Sequence, residues 1–354
     1  MPLIIPTPET TKAARFDALM QFIQNQGLAG QLIPFAKDMS NRQYYRLCVD
    51  GQSFVVMDAP APEKPTQFVL FADFLLKQGL RAPKILGFDE ENGFVLLEDF
   101  GDQTFTRALE LAPLHDNSIE KKLYHTATNI LNMLKNCPRP MVIEEYTTAK
   151  LLAEVEVFID WYWPYAKGVQ APAIAKNPFM ALWEDLFNAL PRTPKTVVLR
   201  DFHVDNLMLI EAPLSVATCG VLDFQDALWG SVVYDFVSLL EDARRDVSPD
   251  VVLQCSQQFL AAYPPEQHDA LELTAKVLGA SRHVKVIGVF TRYAIRQQND
   301  SKCVHLPRLW RYLEQHFNDP IFEPIAQWFA DYFPLKAQHA VVYKKPEQAI
   351  AVHP

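Results

Sequence analysis

Two stretches constrain this chain more than any other: Arg200-Asp201-Phe202-His203-Val204-Asp205-Asn206 and Val221-Leu222-Asp223-Phe224-Gln225-Asp226. Short apolar runs bracket both. Thr196-Val197-Val198-Leu199 leads into Asp201, Leu207-Met208-Leu209-Ile210 follows Asn206, and Gly220-Val221-Leu222 precedes Asp223. Runs of this length read as buried strands. The loops that join them can present a carboxylate, an amide and a second carboxylate at one edge. Oxygen donors of this kind suit a hard cation such as magnesium. A carboxylate beside a hydroxyl can accept its proton. The competing reading is a pair of ordinary loop carboxylates and an Asx turn.

At 354 residues the chain can bury a large core and fold as two lobes. A net charge of -9 argues against broad nucleic-acid binding, which needs a basic face. It leaves room for a local basic pocket around a small molecule. The five cysteines are dispersed with no close pair, which fits reduced thiols and offers no zinc spacing. The first twenty residues lack the apolar segment of a signal peptide. No apolar run approaches the roughly 18 residues of a membrane span. The expectation is a cytoplasmic, soluble monomer with a small-molecule partner, and with neither nucleic acid nor membrane.

Along the chain, Phe16, Leu19, Met20 and Ile23 recur at helical spacing, so a helix is expected over 10–26, ended by Gly27. Strands over 44–49 and 53–57 flank the turn signal Asp50-Gly51. A helix over 68–78 precedes short strands over 84–88 and 94–97. The polar, Gly-containing Glu98-Asp99-Phe100-Gly101-Asp102 then marks a boundary. Residues 1–98 are read as a β-rich N-terminal lobe and 99–354 as a larger, mostly helical lobe: an α+β fold. Further helices are expected over 119–135, 146–162 and 274–298. The tail after Pro334 is polar and expected to be loosely held.

Phosphoryl transfer from ATP needs a positioned acceptor oxygen and neutralisation of spreading negative charge. Asp201 can receive the hydroxyl proton, while Asn206 and Asp223 can hold Mg2+ through a neutral and a charged oxygen. The same layout resembles the aminoglycoside phosphotransferase and choline kinase group, which has the protein-kinase-like fold. Ser40-Asn41-Arg42-Gln43-Tyr44-Tyr45-Arg46, Phe54-Val55-Val56-Met57-Asp58-Ala59-Pro60, Phe94-Val95-Leu96-Leu97-Glu98-Asp99-Phe100-Gly101 and Leu222-Asp223-Phe224-Gln225-Asp226-Ala227 extend the match. They resemble one branch of it, the bacterial anomeric kinases of N-acetylmuramate and N-acetylglucosamine that act in peptidoglycan recycling. The resemblance runs in order from about Ser40 to Leu313. It implies Asp201 as the base and Asn206 and Asp223 as magnesium ligands. It also implies a nucleotide hinge over Leu97–Gly101, including Glu98 and Phe100, and a phosphate-covering loop with Ser40, Asn41 and Arg42.

The chain departs from the protein-kinase pattern at three places. Leu199 stands where a protein kinase has His. No Gly-x-Gly-x-x-Gly covers the phosphates. The strand that should carry a phosphate-binding lysine reads Val55-Val56-Met57-Asp58, so the cation must come from Arg42, Arg46 or Lys64, or be absent. On the acceptor side, Arg282, His283, Lys285, Arg292 and Arg296 make one helical segment basic, and an arginine such as Arg292 can pair with a carboxylate. His203 and Asp226 are candidate substrate contacts, and either can equally be structural. Trp161, Tyr162 and Trp163 can stack on a sugar or fill a core. Asp235 can brace the site or serve the start of a helix. Beside the anomeric sugar kinase stand two alternatives: a kinase of another hydroxyl compound (aminoglycoside, choline or homoserine), and a nucleotide-binding protein without turnover.

Overall fold

The computed structural model describes residues 8–36, 41–113 and 117–334, with side chains from residue 13 onward. Ser40 and the tail beyond Pro334 lie outside the described residues. Two compact units are present. One takes the described residues up to 113 together with Val204–Asp226; the other takes those up to His203 and from Ala227 onward.

The first unit opens with α1 (Pro8–Asn25) and a five-stranded antiparallel sheet. Its strands are β1 (Gln31–Pro34), β2 (Gln43–Val49), β3 (Gln52–Asp58), β4 (Ile85–Asp89) and β5 (Phe94–Glu98), in the order β1-β2-β3-β5-β4. Leu19, Phe22 and Ile23 fall on one face of α1 and bury against Leu47, Val56, Phe94 and Leu96 of the sheet. The β2–β3 turn has φ 47° at Asp50 and 81° at Gly51. Two consecutive positive values match the right-handed twist of a two-residue hairpin. α2 (Pro65–Lys77) starts on a proline at its first turn and buries Phe68, Phe71, Ala72 and Leu75. Gly79, at φ 78°, stops it. A short α3 (Phe105–Glu110) follows, with Thr104 accepting from the Arg107 amide as its cap.

The second unit begins with α4 (Ser118–Leu134) and α5 (Thr148–Val157). A π turn over Phe158–Tyr162 joins α5 to α6 (Trp163–Lys167); α7 (Ala173–Asn188) and β6 (Lys195–Val198) come next. The expected single helix over 146–162 is therefore interrupted. The π turn rotates Phe158, Tyr162 and Trp163 into one aromatic core with Trp310, Phe329 and Phe333. Tyr162 is 0% exposed and Trp163 3%, so these two rings are core material rather than a sugar platform. Trp161 instead lies under Arg296, 4.7 Å from its ring centre.

The chain returns to the first unit for β7 (Leu207–Leu209) and β8 (Cys219–Val221), an antiparallel pair. It completes the second unit with β9 (Leu228–Ser231), which pairs with β6, and with α8 (Val233–Leu240), α9 (Pro249–Leu260), α10 (His268–Gln297), α11 (Leu306–His316) and α12 (Glu323–Tyr332). This is the α+β, kinase-like arrangement expected from the sequence: an antiparallel sheet in one part, helices in the other. No helix among the described residues is long and apolar enough to cross a membrane.

α10 packs so closely on the π turn that a Cβ at Gly288 would lie 2.6 Å from backbone atoms of Val157 and Phe158. A helical Gly→Ala change ordinarily stabilises by about 1 kcal/mol. Gly288→Ala is expected to destabilise by about 1–3 kcal/mol instead, as overpacking does. The shift of the urea midpoint, at constant slope, checks this.

Candidate active site

The residues that single out this chain are delivered by two ladders. In the β7–β8 hairpin, Leu207 lies opposite Val221, and the Leu222 amide donates to the Asn206 carbonyl at 2.9 Å. This register brings the Asn206 side-chain amide to 3.4 Å from the Asp223 carboxylate. Asp223 holds φ 58°, an unusual value for a non-glycine residue, and its side chain is 41% exposed. Gln225, itself 5% exposed, donates to Asp223 at 2.6 Å and to Asp226 at 3.3 Å. The hairpin is anchored within its unit by the Val221 amide on the Arg81 carbonyl and the Leu209 amide on the Gln103 carbonyl.

Arg42 meets this cluster. Its guanidinium lies 2.8 Å from Glu63, 3.5 Å from Asp226 and 3.9 Å from Asp223. Burial opposes the charge, but Tyr44 and the three carboxylates outweigh it and hold the Arg42 pKa above its ordinary value. Glu63 also accepts from the Asn41 amide at 3.2 Å, so one carboxylate fixes both residues. Lys64 and Gln67 line the same cleft with Arg42, Glu63, Gln225 and Asp226. Of the three candidate cations, Arg46 is committed elsewhere, to Asp99 at 2.6 Å and Asp102 at 2.8 Å. The strand position for a lysine is closed: Met57 is 0% exposed.

The segment expected to be a hinge is braced by cations. Arg81 donates to Glu98 at 2.8 Å and lies over the Phe100 ring at 5.1 Å. The Glu98 amide is bonded to the Lys84 carbonyl. Asp205 accepts from the Thr106 hydroxyl.

Asp201 belongs to the second unit, five positions before Asn206 in the chain. Its neighbour Arg200 has φ 72°, and that backbone is held by Asp235 in the first turn of α8. Asp235 accepts from the amides of Leu199 at 2.5 Å and Arg200 at 2.9 Å. Both readings of Asp235 thus apply: it starts a helix and it braces the loop. Burial pushes its carboxyl up to about 7, against the pull of the two amides. The Arg200 side chain pairs with Glu154, which also accepts from Lys285 at 2.9 Å and from the Tyr146 hydroxyl. Burial alone would raise the Glu154 pKa; Lys285 and Arg200 overcome it and hold it at about 2. His203 is 4% exposed, and burial, then Arg244, Arg282 and Lys302, push its pKa well below 6.5, so the imidazole is neutral. Arg292 is partly buried on α10, beside the charge of Arg296.

Glu63, Gln225 and Glu154 were given no role from the sequence. Each acts on a site residue through a pairing that no local pattern announces. Gln225 alone had a signal, its place between Asp223 and Asp226.

The donor set suits magnesium. It consists of one neutral and one charged oxygen-bearing side chain, brought together by the backbone and partly open to solvent, with no thiol or imidazole among them.

The family model of the phosphotransferase enzyme family matches residues 31–271. An N-acetylmuramate/N-acetylglucosamine kinase of Caulobacter vibrioides is 31% identical over 85% of this chain and 92% of its own length. One of Pseudomonas aeruginosa, with the same name, is 35% identical over 80% and 83%. Among solved structures, a choline/ethanolamine kinase family protein from Mesorhizobium loti aligns with TM-score 0.60 at 11% identity, covering 90% of this chain and 98% of that one. The GDP complex of aminoglycoside 2'-phosphotransferase-IIIa aligns with TM-score 0.58 at 16% identity, covering 85% and 99%.

The Glu154 network gives a pH prediction. A carboxyl held at about 2 when folded, against 4.5 ordinarily, contributes stability that is complete above about pH 4.5 and is lost as pH falls toward 2. Glu154→Gln is expected to cost about 3 kcal/mol at neutral pH, because two half-buried cations lose their counter-charge. The gap between wild type and variant should shrink as pH drops below 4.5. Denaturant titrations of both proteins between pH 3 and 7 measure it.

Proposed function

The chain belongs to the phosphotransferase enzyme family, and from that premise we propose that it is an ATP-dependent kinase of an amino sugar. The observation that carries the kinase reading is the hairpin register that sets Asn206 against Asp223, with Arg42 alongside. The sugar comes from the relatives, four of which bear the name N-acetylmuramate/N-acetylglucosamine kinase over 79–85% of this chain. The full proposal is phosphorylation of the anomeric hydroxyl of N-acetylmuramate or N-acetylglucosamine to the sugar 1-phosphate. This chemistry would serve peptidoglycan recycling in the cytoplasm.

Under this reading Asp201 accepts the proton of the attacking hydroxyl. Asp235 and the Glu154–Arg200 pair keep the backbone and side chain next to it in place. Asn206 and Asp223 hold magnesium, which when bound neutralises charge spreading over the phosphate oxygens. Gln225 fixes the Asp223 carboxylate for that task. Arg42 takes the role of the missing strand lysine: its guanidinium is fixed by Glu63 and offers a permanent positive charge. Asn41, Glu98, Phe100 and Asp226 stay as proposed contacts for nucleotide or substrate. Ser40 is proposed on the resemblance alone.

The test is ADP release with ATP and magnesium across N-acetylmuramate, N-acetylglucosamine, choline and an aminoglycoside, with phosphorus NMR reading the product. A sugar 1-phosphate is expected. Turnover with choline or the aminoglycoside alone would replace the substrate, and nucleotide binding without turnover of any acceptor would leave a binding protein. Asp201→Ala is expected to lower kcat by about 10²–10⁴-fold with an unchanged melting temperature. Undiminished turnover in that variant would contradict the role of Asp201.

A further inference from the structure

N-acetylmuramate differs from N-acetylglucosamine by a lactyl ether, which carries a carboxylate. If the proposed function holds, on which the following rests, a cation should be available for that group. α10 carries Arg282, Lys285, Arg292 and Arg296 at helical spacing on one face. Lys285 is taken by Glu154, and Arg296 lies over Trp161. Arg282 is different. It is 4% exposed, and its hydrogen bond runs to a neutral group, the Glu241 carbonyl, at 3.4 Å. No carboxylate lies within 4.0 Å of its guanidinium among the described residues. A guanidinium has five N–H donors and is rarely buried without a counter-charge.

No neighbouring carboxylate makes a direct ion pair with Arg282 among the described residues. Asp235 is engaged with two amides, and Asp242, 0% exposed, is engaged through Oδ1 with the Arg244 amide at 3.0 Å and its guanidinium at 3.3 Å, while its buried Oδ2 makes no hydrogen bond among the described residues. Arg282 acts, with the cations Arg244 and Lys302, on the neutral imidazole of His203. Lys302, too, has no carboxylate within 4.0 Å among the described residues. His203 follows Asp201 by two residues, and Asp235 senses the charges of both Asp201 and Arg282. Arg282, which has no direct carboxylate partner among the described residues, therefore lies near the segment that carries Asp201, all within the second unit.

We propose that Arg282 is the subsite for the acceptor's carboxylate and sets the preference for N-acetylmuramate over N-acetylglucosamine. The planar guanidinium fork takes a carboxylate through two parallel hydrogen bonds. Arg282, rather than Arg292, is the arginine of α10 that recognises substrate.

The experiment compares kcat/KM for both sugars in wild type, Arg282→Met and Arg282→Lys. The ratio of N-acetylmuramate to N-acetylglucosamine is expected to fall by about 10–100-fold in Arg282→Met, the value of a charge-assisted bond. Arg282→Lys should recover part of it. The N-acetylmuramate methyl ester supplies a second measurement on unaltered protein. Wild type should lose the same factor on the ester, and Arg282→Met should lose nothing further. An unchanged ratio, or a wild type indifferent to esterification, overturns the subsite while leaving the kinase intact. A wild type that phosphorylates neither sugar overturns the proposed function and the subsite together.

Discussion

The candidate metal end of this protein hangs on one backbone hydrogen bond, from the Leu222 amide to the Asn206 carbonyl. It closes the two-stranded ladder in which Leu207 faces Val221. Side chains alternate along a strand, so a slip of one residue would send Asp223 to the opposite face and bury Leu222 or Phe224 in the wrong place. Apolar packing enforces the register. Leu207 and Val221 are buried, and Phe224 stacks on Phe68 of α2 at 4.9 Å. Hydrophobic burial thus fixes where two polar groups meet.

Charge placement follows a similar logic. A lysine in place of Met57 on β3 would bring its charge to a fully buried position. Arg42 reaches the carboxylates from the residue before β2 instead, and Glu63 tethers it. An arginine keeps its charge when buried, where a lysine can lose it. The second unit repeats the device. Glu154 collects Arg200 and Lys285, so the loop that bears Asp201 is held from below by an ion triad and from its backbone by Asp235.

Much of this was written in the chain, for physical reasons that differ by element. α10 and α2 were legible because their apolar residues repeat at helical spacing over several turns. The β2–β3 hairpin was legible because Asp50-Gly51 accepts the positive φ its turn needs. β1 was not: four residues with one half-buried side chain leave no alternation to read. The π turn was hidden because inserting it keeps the composition of an aromatic helix and alters only which rings face inward. In the site, Asp201, Asn206 and Asp223 stood out by their place between apolar strands. Glu63 and Glu154 did not, since an ion pair between residues far apart in sequence leaves no periodic trace. Arg282 could not be separated from the other cations of its helix until the partners of each were known.

The account stands on Asn206 and Asp223 forming one cation site used with a nucleotide. Manganese binding, followed by electron paramagnetic resonance in the presence of a non-hydrolysable ATP analogue, tests this directly. Wild type is expected to take up the ion in a nucleotide-dependent way, and Asp223→Ala, with its fold verified by circular dichroism, is expected to lose that uptake. Equal, nucleotide-dependent binding in wild type and Asp223→Ala would contradict it.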